Sequence, residues 1–172
     1  MDISELAKKV TINKADYNKG LTYASSTLMI EALGTPRRTV PQGYSTIDAL
    51  HNPLLAGLTK SVSTPIGAVK GLSLAIDDLT LRILPAIASE HPFLYQHLKH
   101  QGMLVVRAIK LKSGGWGTKY SNHSWGTAID LHIAGEVCSW SPQHFHTLVA
   151  PIFNRFEWYW GGRFQYIRCH AF

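Results

Sequence analysis

The clearest periodic pattern of apolar residues lies in the middle of the chain, between Gly71 and Ala88. Apolar side chains recur there at three- and four-residue spacing, at Leu72, Ala75, Ile76, Leu79 and Ile83. This spacing places them on one face of a helix, where they can be buried together. The pattern therefore predicts a helix over residues 71–88, which Pro85 kinks or ends.

Shorter helices are predicted on both sides of this segment. Residues 92–100 begin with a proline, which suits a first helical turn, and Gly102 suits the stop. Residues 141–154 begin with a Ser-Pro pair, which is typical of an N-cap followed by the first helical position. Residues 5–10 predict a short helix near the N-terminus.

Strands are predicted mainly in the second half. Residues 103–109 and 127–133 are apolar and rich in β-branched side chains, as buried strands are. Residues 112–120 contain three glycines and predict a loop. Residues 158–172 predict a turn and a strand. Because helices come first and a small antiparallel sheet follows, the pattern favours a single-domain α+β fold.

Composition narrows the class of protein. The chain has 172 residues, 45% of them hydrophobic and 16% charged, which excludes a disordered chain and suits one domain. We take residues 61–172 as the functional domain, and residues 1–60 as a lead or as part of the core. The net charge of +6 favours anionic partners, but the basic residues are scattered and match no nucleic-acid-binding motif. No nucleic-acid partner is predicted.

The N-terminus indicates where the protein is made, and the number of cysteines indicates whether disulfide bonds hold its fold. The first residues are acidic and lack the apolar stretch of a signal peptide, and no apolar run reaches the roughly 18 residues of a membrane helix. We therefore expect a chain made in the cytoplasm without a membrane partner. Cys138 and Cys169 are too few for a disulfide framework.

Candidate chemistry is concentrated between Ser121 and Leu131. Imidazole and carboxylate are both good zinc ligands, and His123 and Asp130 supply one of each. A catalytic zinc site needs three protein ligands and an open position for water. Gly126 permits a tight backbone path between the two candidates. From this spacing alone, a polar loop that closes onto a strand is the better explanation.

Longer motifs distinguish these alternatives. Residues 121–130 read Ser-x-His-x-x-Gly-x-Ala-x-Asp, and Val106-Arg107 precedes them while Trp160-Gly161-Gly162 follows. Together these motifs resemble the VanY-type D-alanyl-D-alanine carboxypeptidases, zinc peptidases of peptidoglycan. The resemblance implies the α+β fold that this family shares with hedgehog-like domains, with a zinc site on its small sheet.

The resemblance also implies roles for single residues. His123 and Asp130 would bind zinc, and Ser121 would form a hydrogen bond beside the metal ligands. Arg107 would hold a substrate carboxylate or the developing oxyanion. Trp160 would form a wall of the pocket. The alternative for Arg107 is a surface arginine at a strand end, and Trp160 is equally well explained as an ordinary core aromatic.

The resemblance breaks near the C-terminus. The family carries an acid, two residues and then a ligand histidine, and the acid is the general base that activates water. Here His170 can serve as the third zinc ligand, with the thiol of Cys169 as an alternative. The acid's position is occupied by Ile167, which cannot accept a proton.

Three explanations of this break remain open. The chain is a pseudoenzyme that binds zinc or wall fragments without cutting, or another acid substitutes, of which Glu157 is the nearest in sequence. Alternatively, the reading frame has slipped. One choice of codons for residues 166–172 encodes, after loss of one base, Ile-Ser-Asp-Ala-Met-His-Phe, which contains the family's acid-x-x-His motif.

The function that the resemblance implies is hydrolysis of peptide bonds in peptidoglycan stem peptides. The enzyme would be a zinc D,D-carboxypeptidase or endopeptidase, and its partner a peptidoglycan peptide. Its site of action would then be the cell wall. Positive charge would help such a protein stay on an anionic wall.

Overall fold

The structure, a computed structural model, describes residues 2–43, 50–111, 113–135 and 144–163. The helices are α1 (Ile3–Leu6), α2 (Ser26–Leu33), α3 (Pro53–Gly57), α4 (Ser73–Asp78), α5 (Leu84–Glu90), α6 (Pro92–His97) and α7 (His144–Arg155). The strands are β1 (Thr59–Thr64), β2 (Gly67–Leu72), β3 (Leu98–His100), β4 (Ala108–Lys110), β5 (Trp116–Tyr120) and β6 (Leu131–Ile133). They pair antiparallel as β1–β2, β3–β6 and β4–β5. The predicted α+β class with small antiparallel sheets is confirmed.

The predicted central helix exists with shifted ends. It runs from Ser73 to Glu90 as α4, a π-helical turn over Leu79–Ile83, and α5. It starts later than predicted because the two residues before it belong to β2. Pro85 does not end it, since the wider π turn comes just before the proline and relieves the crowding that its ring causes in a regular helix.

The β1–β2 hairpin was not predicted. Its strands pair from Thr59 with Leu72 to Thr64 with Gly67. Gly67 has a φ of 122°, and the Thr64 hydroxyl donates to its carbonyl at 2.6 Å, so the turn depends on that glycine. Lys and Ser residues interrupt the apolar alternation, which hides this hairpin in the sequence.

The other predicted elements differ mainly in extent. Only the end of the predicted strand 103–109 belongs to a strand, β4. Likewise, only the end of the predicted strand 127–133 forms β6. The last part of the predicted helix 92–100 forms β3, because it pairs with β6. Residues 116–120 form β5, so the predicted loop over 112–120 is wrong in its second half. Gly114 and Gly115 belong to a hairpin turn before β5. Leu111 N–H donates to Gly115 O at 2.8 Å and closes this turn.

The elements predicted near the two ends of the chain also have different bounds in the structure. The N-terminal helix is α1, which ends before most of the predicted residues 5–10. The predicted helix 141–154 appears as α7, and its Ser-Pro start lies outside the described residues. Of the predicted turn and strand over 158–172, residues 161–163 form a 3-10 turn and residues 164–172 lie outside the described part.

The main core lies between the central helix, α7 and β6. The predicted face residues Ile76, Leu79 and Ile83 are fully buried there, against Ile133 and Phe153 among others. A second cluster is built on Met29, Leu55, Val106, Tyr120 and Trp125. Residues of the N-terminal segment (residues 2–43), among them Ala24, Leu33 and Val40, pack against it. No helix in the described ranges is long and apolar enough to cross a bilayer.

A buried network joins the N-terminal segment to α7. The Asn18 side chain donates to Trp160 O at 2.9 Å and accepts from Trp160 N–H at 2.7 Å and from Asn154 Nδ2 at 2.8 Å. Asn18 is 1% exposed and has a φ of 58°, a conformation that asparagine tolerates better than most residues. The network therefore attaches residues near the start of the chain to the main core.

Substitution of Asn18 by alanine is expected to destabilise the fold by about 2–4 kcal/mol, because it leaves buried partners without hydrogen bonds. Urea unfolding followed by tryptophan fluorescence measures this. Asn13→Ala is the matched control, since Asn13 caps an exposed 3-10 turn with a single bond to Ala15 N–H and should cost about 1 kcal/mol or less. Equal losses in both variants would contradict the role of the network.

We expect His100 to make the fold sensitive to mild acid. Burial lowers the pKa of His100, an effect opposed by a hydrogen bond to the Ala68 backbone and assisted by the charge of Lys99. Its Nδ1 accepts the Gly102 N–H at 3.0 Å, which requires the neutral ring. Since the folded-state pKa is lowered, the stability that neutral His100 contributes is fully present above the ordinary pKa of 6.5. This contribution is lost as the pH decreases below that value.

The urea concentration at the unfolding midpoint of the wild type should accordingly decrease when the pH is lowered from 7.5 to 5.5. The midpoint of a His100→Gln variant should decrease less. The other histidines are common to both proteins, so the difference between the two slopes isolates His100. Identical slopes would show that His100 does not contribute.

Candidate metal centre and cavity

His123 is placed by a 3-10 turn, Asn122–Trp125, that is fixed to the segment before β4. The Ser124 hydroxyl accepts from Arg107 N–H at 3.1 Å and donates to Arg107 O at 3.0 Å. Val105 N–H donates to His123 O at 2.9 Å. These bonds hold the turn against residues 105–107, and His123 is 3% exposed.

The His123 ring has a defined orientation. Its Nδ1 lies 3.1 Å from Met103 O, and a carbonyl only accepts, so Nδ1 carries the proton of that hydrogen bond. Nε2 is then left with a lone pair. It lies 3.4 Å from Asp130 Oδ2, is buried, and has no hydrogen-bond partner among the described residues.

Two acceptors that face each other at this distance can share a cation or a proton. A protonated His123 would make the contact an ion pair, but its second N–H would not be aligned for a hydrogen bond. A metal ion suits both atoms, and a histidine whose other nitrogen donates to a backbone carbonyl is the usual arrangement in metal sites. His123 and Asp130 therefore fit a zinc ion as two of its ligands.

Gly126 holds this turn close to β2. Its φ is 67°, and Leu72 N–H donates to its carbonyl at 2.9 Å. A Cβ at this position would lie 2.7 Å from Gly71 Cα and from Leu72 N, which are backbone atoms that cannot move aside. Glycine at 126 thus permits both the backbone turn between the two candidate ligands and their approach to the hairpin.

A cavity of about 820 Å³ opens beside His123. Its polar side is formed by Arg107, Ser121, Asn122 and His123, and apolar walls come from the hairpin, the start of α4 and the N-terminal segment. The Arg107 side chain is 3% exposed, and Nη1 lies 3.5 Å from Ala108 O. A permanently charged guanidinium at such a wall favours an anionic ligand group.

The structure brings most of the predicted site residues together. Arg107, Ser121 and His123 line one cavity, and Asp130 contacts His123. Trp160 is 1% exposed and lies in the main core, where its ring packs edge-on against Tyr17 with centroids 4.8 Å apart. Its neighbours Trp158, Tyr159 and Gly161 line the cavity instead.

The third predicted ligand, His170, lies outside the described residues, as do Ile167 and Cys169. Among the described residues, no group of three or more His, Cys, Asp or Glu side chains is placed to hold a metal ion. Completion of a three-ligand zinc site by His170 therefore stays a prediction.

Sequence reasoning missed the N-terminal wall of the cavity. Thr22, Tyr23 and Ala24 line it, and Asn122 Nδ2 donates to Ala24 O at 3.1 Å. Tyr23 packs edge-on against Tyr159, with ring centroids 5.9 Å apart. These residues belong to no recognisable motif, and only their contact with Asn122, beside His123, connects them with the site.

Comparison with known proteins supports the resemblance over part of the chain. A family model described as D-alanyl-D-alanine carboxypeptidase matches residues 114–168. The match covers about a third of the chain and includes Ser121, His123, Asp130 and Trp160, whereas Arg107 and His170 lie outside it. No curated protein and no solved structure matches the chain.

Proposed function

We propose that this chain, which matches the D-alanyl-D-alanine carboxypeptidase family over residues 114–168, is a zinc peptidase that cuts peptidoglycan stem peptides. The observation that carries the proposal is the buried Nε2 of His123, which faces Asp130 Oδ2 at 3.4 Å without a hydrogen bond. His123 and Asp130 would hold the metal, and His170 would be the third ligand. Bound zinc would supply a Lewis acid that polarises the scissile carbonyl and acidifies water.

The other residues of the site would position the substrate. The buried Arg107 would bind a carboxylate of the peptide or stabilise negative charge that develops on the carbonyl oxygen. Ser121, whose N–H donates to Arg107 O at 3.0 Å, links the arginine to the turn that carries His123. The apolar wall near Met29, Leu72 and Ala75 suits small aliphatic side chains such as the methyl groups of alanine.

Zinc content and hydrolysis, measured on the same purified protein, test this function. We expect about one zinc per chain by elemental analysis, release of amino groups from purified peptidoglycan or from D-Ala-D-Ala peptides, and loss of both with a chelator. A protein that binds one zinc but leaves all these substrates intact would contradict the peptidase activity.

A second candidate function is non-catalytic binding of wall peptides. It is favoured by Ile167, which stands where the family carries its proton-accepting acid. Calorimetric binding of muropeptides by the zinc-loaded protein, without turnover, is the result expected of this alternative. The gene sequence over residues 166–172 separates a lost acid from a shifted reading frame.

A further inference from the structure

Two carboxylates line the cavity within the described part of the chain, those of Asp78 and Glu157. Asp78 is already engaged through both oxygens. Its Oδ1 accepts from Arg82 Nη1 at 2.7 Å, and its Oδ2 accepts from Trp158 Nε1 at 2.6 Å. Both oxygens of Asp78 are therefore occupied by donors from the protein.

Glu157 differs from Asp78 in its contacts. Glu157 is exposed and lines the cavity, and its side chain forms no ion pair or hydrogen bond with any other residue in the described ranges. Its oxygens are therefore available to water and substrate. Among the acids at the cavity, Glu157 is the one whose lone pairs are not already committed within the described structure.

The backbone at Glu157 is also unusual. Glu157 lies two residues after Arg155, the last residue of α7, and has a φ of 65°, at a position where glycine is the common residue. Its N–H donates to Asn154 O at 3.0 Å, and Trp158 N–H donates to Phe153 O at 3.0 Å, which closes the helix end. A non-glycine residue in this conformation costs free energy, which the contacts of the surrounding structure must offset.

The residues after Glu157 hold it in place. Trp158 is anchored by its bond to Asp78, and Tyr159 packs against Tyr23 of the N-terminal segment. Residues 157–159 all line the cavity. The segment that carries the acid is therefore held in place at the end of a helix, as the support of a group that transfers protons at a defined point requires.

We infer that Glu157 is the general base of the hydrolysis. This inference rests on the proposed function. The Glu157 carboxylate takes a proton from water as the water oxygen bonds to the peptide carbonyl carbon. The same proton passes to the amide nitrogen as the C–N bond breaks, and an amine and a carboxylic acid leave. Glu157 ends as the carboxylate, so the step balances without a further reactant.

A Glu157→Gln variant tests the inference, because glutamine keeps the shape of the side chain but cannot accept the proton. We expect kcat to fall by about 10²–10⁴-fold with KM within about twofold. Zinc content, the unfolding midpoint and the calorimetric affinity for the product peptide should not change. Glu157→Asp should retain part of the activity, and the acidic limb of the kcat–pH profile should disappear in Glu157→Gln.

Glu31→Gln is the matched control, since Glu31 is exposed on α2 and does not line the cavity. Wild-type kcat in Glu157→Gln, or a raised KM at unchanged kcat, would overturn the role of Glu157 as base while leaving the proposed function intact. Loss of zinc in that variant would make Glu157 a metal ligand and would overturn it too. A zinc-loaded wild type that cuts nothing would overturn both proposals.

Discussion

Replacement of His123 by alanine is expected to weaken zinc binding by at least about 100-fold and to abolish hydrolysis, because loss of a residue that merely supports a ligand already weakens binding by about 10–100-fold. The variant removes the buried Nε2 that faces Asp130. Zinc titration by calorimetry measures the affinity directly. A thermal unfolding series with added zinc provides a second measurement, since a ligand raises the midpoint only if the folded state binds it.

His51→Ala is the control for this substitution, because His51 is exposed and lies outside the cavity. We expect the wild type and His51→Ala to show the same rise in unfolding midpoint with zinc, and His123→Ala to show none. If His123→Ala bound zinc as tightly as the wild type, the metal would have to be held elsewhere, and the proposed centre would be wrong.

Substitution of Gly126 by alanine should have the largest effect on stability, about 3–5 kcal/mol. Two costs combine in it. A residue other than glycine at a φ of 67° costs about 1–2 kcal/mol. The added Cβ would also lie 2.7 Å from the backbone of Gly71 and Leu72, so that β2 must move away from the turn that carries His123. Urea unfolding measures the loss, and zinc affinity should decrease in parallel.

Gly20→Ala separates the two costs. Gly20 has a similar φ of 74°, but a Cβ there would meet no atom within 4 Å. This variant should therefore lose only the backbone part, about 1–2 kcal/mol. Similar losses in Gly20→Ala and Gly126→Ala would mean that the hairpin moves aside freely and that the close approach is not needed.

Local patterns predicted those features that depend on neighbours in sequence. The period of Ile76, Leu79 and Ile83 located the central helix, because a helix buries residues that are three and four apart. The family resemblance carried by the motif from Ser121 to Asp130 implied that its histidine and aspartate lie together, and their side chains lie 3.4 Å apart. In both cases the determining residues lie within about ten positions of one another, inside the window of about 11–18 residues in which local patterns are recognised.

Features that depend on distant partners could not be predicted. Residues 116–120 form a strand because they pair with β4, although their glycines favour a loop when considered alone. The cavity wall at Tyr23 depends on a contact with Tyr159, far along the chain. The orientation of Glu157 depends on how α7 ends. In each case tertiary packing overrides the local preference.

The bond between Asn18 and Trp160 joins positions 142 apart in sequence, and the segment just after Asn18 forms one wall of the cavity. Closing so long a loop is slow, since its entropic cost precedes any stabilising contact. During synthesis, residues 22–24 would emerge from the ribosome long before the helix that anchors them. The cavity would therefore be among the last parts of the protein to form, and an unfinished chain would have no place to hold a peptide.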